Sequence, residues 1–329
     1  MYEKLVPDVL SLYGIEYTNI LASQKGYRNE IYPIVLSNTQ TIQLTFFKTE
    51  KETLARIKCS NAVSEYAALK GFPTRVLFDK RISRIRTPRS VIYTGLYSYL
   101  PGNTIAWEMY TKRHLKLLGK TMSNLHYALS TKKFKGSINV VDENLQLLAR
   151  MDNYFNDINV CNAIKSKLNL DVSFKFDSFK KIFEGCRGLP NQTQLHMDFV
   201  RGNILFSNMP FNTSHSIDEL AITGILDFEK TAYGHPLFDV ARTLSFLFVD
   251  CKYKTLDEVK KYFVHSGYQK RGLTTLEHTD TLLTYLVNFY LMYDLYKFLR
   301  HNPYESLNQN EHFKRTKDIL IDHHMVHYI

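Results

Sequence analysis

The sequence predicts a bilobal α+β fold, with a small β-rich N-terminal lobe and a larger, mainly helical C-terminal lobe. Strand-like apolar runs at 31–36 and 41–47 flank a turn sequence at 37–40. The segment Pro101-Gly102-Asn103 is a strong break in regular structure. Helical periodicity dominates from residue 115 onward. We therefore expect residues 1–100 to form the N-terminal lobe, with a hinge at its end, and residues 101–329 to form the C-terminal lobe.

The elements of the first lobe follow from local patterns. Residues 1–20 read as a short amphipathic helix and a lead-in to the hairpin at 31–47. Apolar residues recur at near-helical spacing over 50–70, and Gly71-Phe72-Pro73 should end that helix. Two further strand-like stretches follow, at 75–78 and 90–100.

The second lobe is predicted to be helical at 115–129, within 140–184 and over 238–327. Between these stretches, at 191–232, short apolar runs flank polar loops instead. The most apolar stretch, Leu282–Leu299, is interrupted by Asn288, Asp294 and Lys297, which favours a buried helix over a membrane span. The N-terminal residues lack the apolar core of a signal peptide.

Composition narrows the class of protein. The 329 residues are 44% hydrophobic and 22% charged, as in an ordinary globular protein. The four cysteines form no CxxC pair, which argues against zinc and suits a reducing cytoplasm. The net charge of +10 would suit nucleic acid, a polyphosphate ligand or simple solubility. Because no basic run reaches five residues, we favour the last two explanations over nucleic acid.

Two segments carry the chemistry. In one, Asp198 and Asn203 bracket a loop that leads into an apolar run; in the other, Asp227 follows the apolar run 222–226. Phosphoryl transfer needs a carboxylate that receives the hydroxyl proton and oxygen ligands that hold Mg²⁺ against the phosphates. The spacing H-x-D-x-x-x-x-N, followed by D-F on a later strand, is that of a kinase catalytic loop. We therefore expect these three side chains to converge on one divalent ion.

This pattern resembles the aminoglycoside phosphotransferase and choline kinase superfamily, whose members share the protein-kinase-like fold. The likeness extends over about residues 20–250 and includes Leu118–His126, Tyr97–Gly102 and Asp227–Ala241. The resemblance implies that Asp198 is the catalytic carboxylate and that Asn203 and Asp227 bind Mg²⁺. It also implies that His196 orients the loop, that Asp239 anchors it, and that the backbone around Tyr97 and Tyr99 receives adenine.

The cation for the nucleotide phosphates is less clearly marked. In the family a lysine follows an aliphatic residue on the third strand, and that place is Thr45 here. Lys48, three residues further on, should point to the opposite face of a regular strand unless a bulge intervenes, and Lys25 or Arg28 could substitute. Among these we favour Lys48.

Three further residues are assigned to the nucleotide. Glu65 is the helix carboxylate expected to pair with the phosphate-binding cation. Gly26 and Asn29 belong to the loop before the hairpin, which contains a single glycine and should cover the phosphates. At the other end of the chain, His323 and His327 could share a helix face, but without a third strong ligand we expect no metal there.

Together these features predict a cytoplasmic small-molecule kinase that uses ATP and Mg²⁺. Its partners would be the nucleotide and a small hydroxyl-bearing substrate, and neither nucleic acid nor a membrane is expected. The alternatives are a nucleotide-binding pseudokinase with a scaffold or sensing role, suggested by the missing strand lysine, and a nucleic-acid-binding protein, suggested by charge alone. The acceptor, the preference for ATP over GTP and the oligomeric state stay open.

Overall fold

A computed structural model describes residues 2–25, 29–50, 52–87, 91–172, 174–207, 220–269 and 279–329, with only the backbone of Lys25, Trp107 and Thr279. The chain divides into two compact units. The first comprises residues 1–104, 134–136 and 203–230, and the second comprises residues 105–133, 137–202 and 231–329. The predicted α+β class is confirmed, because the first unit is built on a β-sheet and the second is mainly helical.

The sheet of the first unit has the order β1-β3-β4-β6-β5, and β2 also pairs with β3. All its pairs are antiparallel. The predicted hairpin is confirmed as β3 and β4. The strands are β1 Tyr17–Ile20, β2 Gln24–Lys25, β3 Glu30–Leu36, β4 Thr41–Phe47, β5 Leu77–Arg86 and β6 Val91–Ser98.

Alternation along β4 gives the sheet two apolar faces. Ile42, Leu44 and Phe46 pack in one cluster with α1, Val6–Tyr13, which a 3₁₀ turn at Glu3–Leu5 precedes. On the other face Phe47 packs with Tyr97 and with Ile57 of the helix α2, Thr53–Leu69. Thr45 is two residues before Phe47 on β4, so its side chain points to the same face, where it is fully buried.

The strand expected at 75–78 is instead the ten-residue β5, which runs on to Arg86. The short apolar stretch was a poor guide because β5 lies at the end of the sheet, where charged side chains face solvent and blunt an exposed edge. Arg81 and Arg84 are both exposed there.

The first unit is completed by a distant part of the chain. Strands β10, Ile204–Phe206, and β11, Ile222–Ile225, pair antiparallel. Isolated bridges join Thr74 to Ile225 and Asn103 to Phe206, and the Ile225 N–H donates to the carbonyl of Pro73 at 2.8 Å. A 3₁₀ turn at Phe228–Lys230 follows and contacts α2.

The second unit contains most of the helices, with two small sheets. One sheet has the order β7-β12-β9, and the other pairs β13 with β8. The helices are α3 Lys112–Leu129, α4 Val140–Phe155, α5 Ile158–Leu168, α6 Phe176–Cys186, α7 Leu237–Asp250, α8 Leu256–Lys260, the π-helix Lys261–Tyr268, α9 Thr279–His301, α10 Tyr304–Leu307 and α11 Glu311–Asp322. The strands are β7 Ile138–Asn139, β8 Leu170–Val172, β9 Thr193–Leu195, β12 Ala232–Gly234 and β13 Val326–Tyr328. Two 3₁₀ turns lie at Trp107–Met109 and Arg201–Asn203.

Two features of these helices bear on the predictions. α3 begins at Lys112, earlier than the apolar stripe suggested, because Thr111 and His114 form a capping box at its start. The helix α9 contains the apolar stretch from Leu282 to Leu299, and most of its side chains there are buried. Within the described ranges, no helix combines the length and the apolar character that crossing a bilayer would need.

Candidate active site

The loop that follows β9 is held by one buried carboxylate. Asp239, on the first turn of α7, accepts the backbone N–H of His196 at 2.7 Å and that of Met197 at 2.9 Å. Its Oδ2 also lies 3.0 Å from Nε2 of His126, whose Nδ1 lies 2.8 Å from the hydroxyl of Tyr268. The loop backbone is thus fixed immediately before Asp198.

Asp239 keeps its charge despite complete burial. Burial alone would raise the pKa of this carboxyl, but the hydrogen bond to His126, the charges of the nearby histidines and the backbone donor hold the pKa below its usual value. An ionised carboxylate accepts hydrogen bonds through both oxygens and donates none, which suits two converging N–H groups.

His196 acts within the same loop as an acceptor. Its ring is fully buried, and its Nδ1 accepts the backbone N–H of Asp198 at 3.2 Å. Phe199 lies edge-on to this ring, with centroids 5.5 Å apart. Met197 adopts a left-handed backbone conformation, with φ of 61°, that turns the chain between His196 and Asp198. These contacts suit an orienting role for His196.

Asp198 itself is half-buried, and its charge acts on Arg242, which forms an ion pair between α7 and α9. The Arg242 guanidinium meets both carboxylate oxygens of Asp294, at 2.9 and 3.1 Å. Lys297 adds a second cation 2.7 Å from Asp294. Burial would lower the pKa of Arg242, but the charges of Asp294 and, to a smaller extent, Asp198 hold it above its usual value.

The two expected metal ligands lie side by side in the first unit. Asn203 immediately precedes β10 and Asp227 follows β11 by one residue. The Leu226 N–H donates to the Asn203 carbonyl at 2.8 Å, one step beyond the pair Ile204 and Ile225. The structure therefore brings together the backbone at two residues that are 24 positions apart in the sequence, because 227 minus 203 is 24.

Their chemistry suits a hard divalent cation. Asp227 is half-buried and takes a left-handed conformation, with φ of 57°, and its Oδ1 accepts the Glu229 N–H at 3.2 Å. In the described part of the chain its second oxygen carries no hydrogen bond. A carboxylate and an amide oxygen on neighbouring strands are ligands that Mg²⁺ accepts, usually together with water and phosphate oxygens.

The residues assigned to the nucleotide differ in their exposure and in their contacts within the first unit. The Asn29 side chain donates to Glu229 Oε1 at 2.5 Å and accepts the Lys48 N–H at 3.3 Å. The Lys48 ammonium is not buried: its side chain is 53% exposed and lies 3.4 Å from Glu50. Glu65, half-buried on α2, forms no ion pair among the described residues. Gly26 lies outside the described residues.

At the end of β6 the two tyrosines differ sharply. Tyr97 is fully buried, and its hydroxyl donates to Asn61 of α2 at 3.2 Å. Tyr99 lies just past the strand, and 38% of it is exposed. The side chain of Tyr97 is therefore part of the packing under the sheet, whereas Tyr99 is accessible.

The sequence does not indicate the contacts of three buried charged residues, Arg242, Asp294 and Arg75. Arg242 and Asp294 pair across 52 positions, and no local pattern signals such a pair. The sequence predicts only that Arg75 begins a strand, whereas in the structure its guanidinium is buried beside Thr45 and Tyr97. The one available signal was an arginine directly after the helix-ending Gly71-Phe72-Pro73.

A six-stranded antiparallel sheet with a helix on each face, and a helical unit whose loop carries Asp198, define a protein-kinase-like phosphotransferase fold. Residues 20–253, well over half of the chain, match the phosphotransferase enzyme family, and the chain belongs to that family. The resemblance to aminoglycoside phosphotransferases is thereby confirmed.

Solved structures agree on the fold. An amicoumacin kinase in complex with AMP-PNP, Ca²⁺ and Ami is 13% identical, with a TM-score of 0.70 over 97% of this chain and 94% of its own. A microcompartment-associated aminopropanol kinase is 12% identical, with a TM-score of 0.61 over 95% of each chain. The GDP complex of aminoglycoside 2'-phosphotransferase-IIIa is 13% identical, with a TM-score of 0.58 over 96% of this chain and 98% of its own. No curated protein matches the chain in sequence.

Proposed function

We propose that this protein transfers the γ-phosphoryl group of ATP to a hydroxyl of a small molecule, in a reaction assisted by Mg²⁺. The observation that carries the proposal is the placement of Asn203 beside Asp227 at the ends of the paired strands β10 and β11. Asn203 is also the last residue of the only sequence of the form H-x-D-x-x-x-x-N. Similar folds occur in an amicoumacin kinase bound to AMP-PNP and in an aminopropanol kinase, whose acceptors are small molecules.

Each residue has a chemical task in this proposal. The Asp198 carboxylate accepts the proton of the acceptor hydroxyl as the oxygen attacks phosphorus. Asp239 and His196 hold the loop backbone so that this carboxylate keeps one orientation. Asn203 and Asp227 would hold Mg²⁺, which when bound neutralises charge on the phosphate oxygens.

The surroundings of Asp198 bear on the acceptor. The carboxylate of Asp294 is already neutralised by Arg242 and Lys297, so it offers little to a polycation. We therefore favour a neutral or singly charged hydroxyl compound over an aminoglycoside-like polycation. The four cysteines are all free thiols, which suits the cytoplasm as the place of action.

The test is a screen of hydroxyl-bearing metabolites with ATP and Mg²⁺, in which ADP release is measured and the phosphorylated product is identified by ³¹P NMR. With the best acceptor, Asp198→Asn should lower turnover by about 10²–10⁴-fold while nucleotide affinity is kept. The control is Asp171→Asn, a half-exposed carboxylate of the same unit whose one ion pair within the described residues is with Lys165.

Two outcomes would contradict the proposal. Nucleotide binding without turnover of any acceptor would favour the pseudokinase alternative. Steeply salt-dependent binding to nucleic acid, with no nucleotide affinity, would favour the alternative that rests on net charge.

A further inference from the structure

Arg75 lies in the connection between α2 and β5, and its side chain reaches the face of the sheet that carries Thr45 and Phe47. The Ser64 hydroxyl on α2 donates to the carbonyl of Arg75 at 2.5 Å. The hydroxyl of Thr74 donates back to the carbonyl of Ser64 at 2.6 Å. These two bonds fix the backbone on both sides of the Thr74–Arg75 peptide, so the direction of the arginine is set by the fold.

The guanidinium ends beside the strand position where the family carries its lysine. Nη1 of Arg75 lies 3.5 Å from the hydroxyl of Thr45 on β4, and the guanidinium carbon lies 4.2 Å from the centre of the Tyr97 ring. Tyr97 is on β6, next to β4 in the sheet, and its register partner on β4 is Gln43. An arginine from another element thus reaches the place that a lysine at residue 45 would occupy.

This cation is buried but has no counter-charge in the described chain. Arg75 is only 9% exposed, and no carboxylate among the described residues forms an ion pair with it. A guanidinium has five N–H donors, and in the described part of the chain one of them is engaged, by the long contact to Thr45. Burial also raises the pKa of the Tyr97 phenol, to about 12, so the ring offers its π-face and no phenolate.

A buried charge without a partner is costly, and folded proteins keep one where it meets a ligand or a metal. We propose that Arg75 supplies the charge that binds the phosphate chain of the nucleotide, in place of a strand lysine. This inference rests on the proposed function, and it replaces Lys48, whose ammonium is exposed and already pairs with Glu50.

The experiment compares the affinities of adenosine, ADP and ATP, measured by calorimetry with Mg²⁺ for the nucleotides, in three variants. In Arg75→Met we expect ATP and ADP to bind at least about tenfold more weakly, with adenosine unchanged. Arg84→Met is the matched control, because Arg84 is an exposed arginine on the edge strand of the same sheet. Lys48→Met tests the competing cation, and we expect its ATP affinity to change by less than about threefold.

Two readouts separate binding from folding. The melting temperature of Arg75→Met should stay equal to that of the wild type or rise, since an apolar side chain replaces an unpaired buried charge. Adding Thr45→Lys to Arg75→Ala should restore part of the lost ATP affinity, because the lysine would then stand on the strand and the shortened side chain would leave it space.

Three results would overturn the assignment: ATP affinity unchanged in Arg75→Met, an equal loss of adenosine and ATP affinity, or a selective loss of ATP affinity in Lys48→Met alone. None of these measurements needs turnover. Failure of the proposed function would appear instead as wild-type protein that binds ATP but phosphorylates no acceptor, so the two failures are distinguishable.

Discussion

Asp239 holds the backbone of His196 through a hydrogen bond of 2.7 Å from the amide to the carboxylate. A second bond, from Met197 at 2.9 Å, uses the other carboxylate oxygen. The residue that orients the loop is therefore 40 positions or more from the loop that it orients, on the first turn of α7. Loop geometry next to Asp198 depends on this helix being in place.

The first prediction concerns that carboxylate. In Asp239→Asn one oxygen is replaced by an NH₂ group that faces an N–H donor, so one buried donor loses its acceptor. We expect the free energy of unfolding to fall by about 1–3 kcal/mol and turnover to fall with it. Urea denaturation and steady-state kinetics measure the two effects. Wild-type stability and turnover in this variant would show that the loop does not need the second acceptor.

The second prediction concerns the metal. Asn at position 227 can keep the left-handed backbone and the hydrogen bond from Glu229, so Asp227→Asn should melt like the wild type. The Mg²⁺ concentration for half-maximal activity should rise by at least about 10–100-fold, the loss seen when even an outer-shell partner of a metal ligand is removed. Magnesium titration of turnover measures it. Asp8→Asn, an exposed carboxylate of the same unit, is the control, and an equal magnesium requirement in both variants would contradict the assignment.

The third prediction concerns the pair Arg242 and Asp294. Removing one partner leaves a buried charge uncompensated, and Asp294→Ala should lower the free energy of unfolding by about 3–5 kcal/mol. The double variant Arg242→Met with Asp294→Leu should recover most of that loss, because apolar side chains of similar size fill the space. Denaturant unfolding of the wild type, Arg242→Met, Asp294→Leu and the double variant forms a double-mutant cycle. Additive losses would mean that the two residues do not stabilise each other.

The fourth prediction is a pH dependence that His235 creates. Burial, with a smaller effect of His126, lowers the pKa of His235 from 6.5 to about 4. Between these values the unfolded chain binds a proton that the folded protein does not, so stability is complete above pH 6.5 and falls as the pH drops toward 4. The free energy of unfolding should fall by about 3 kcal/mol over this range, because the pKa of His235 differs by about 2.5 between the unfolded and folded states.

The variant His235→Asn should flatten this slope, since asparagine does not titrate and can still accept the N–H of Leu237, which His235 Nδ1 now accepts at 3.3 Å. Melting temperatures measured from pH 4 to pH 7.5 test it. An identical slope in variant and wild type would assign the acid sensitivity to other groups.

Features of the fold were predictable where the sequence pattern that indicates them is local. The β3–β4 hairpin was predictable because alternation and a turn sequence lie within 17 residues. The neighbourhood of Asn203 and Asp227 was also predictable, because each follows or precedes an apolar strand in a known spacing. The bounds of β5 were not, since its charged residues suit a sheet edge and hide the strand.

The position of Arg75 could not be derived from the sequence. Its approach to Thr45 depends on two hydrogen bonds between Ser64 and the Thr74–Arg75 segment and on the register of three strands. Such a contact is produced by tertiary packing. The sequence shows that the strand lysine is missing at residue 45, but it does not indicate which cation takes its place. The same holds for Arg242 and Asp294, which meet only when α7 and α9 pack together.

The split of the first unit between residues 1–104 and 203–230 has a consequence during synthesis. When Thr104 leaves the ribosome, the nascent chain still lacks the strands that pair with Thr74 and Asn103. Another 126 residues, 230 minus 104, must emerge before the whole of the segment 203–230 is available. At about 5–20 residues per second this takes roughly 6 to 25 s, during which the growing polypeptide must be kept from aggregating at that unfinished edge.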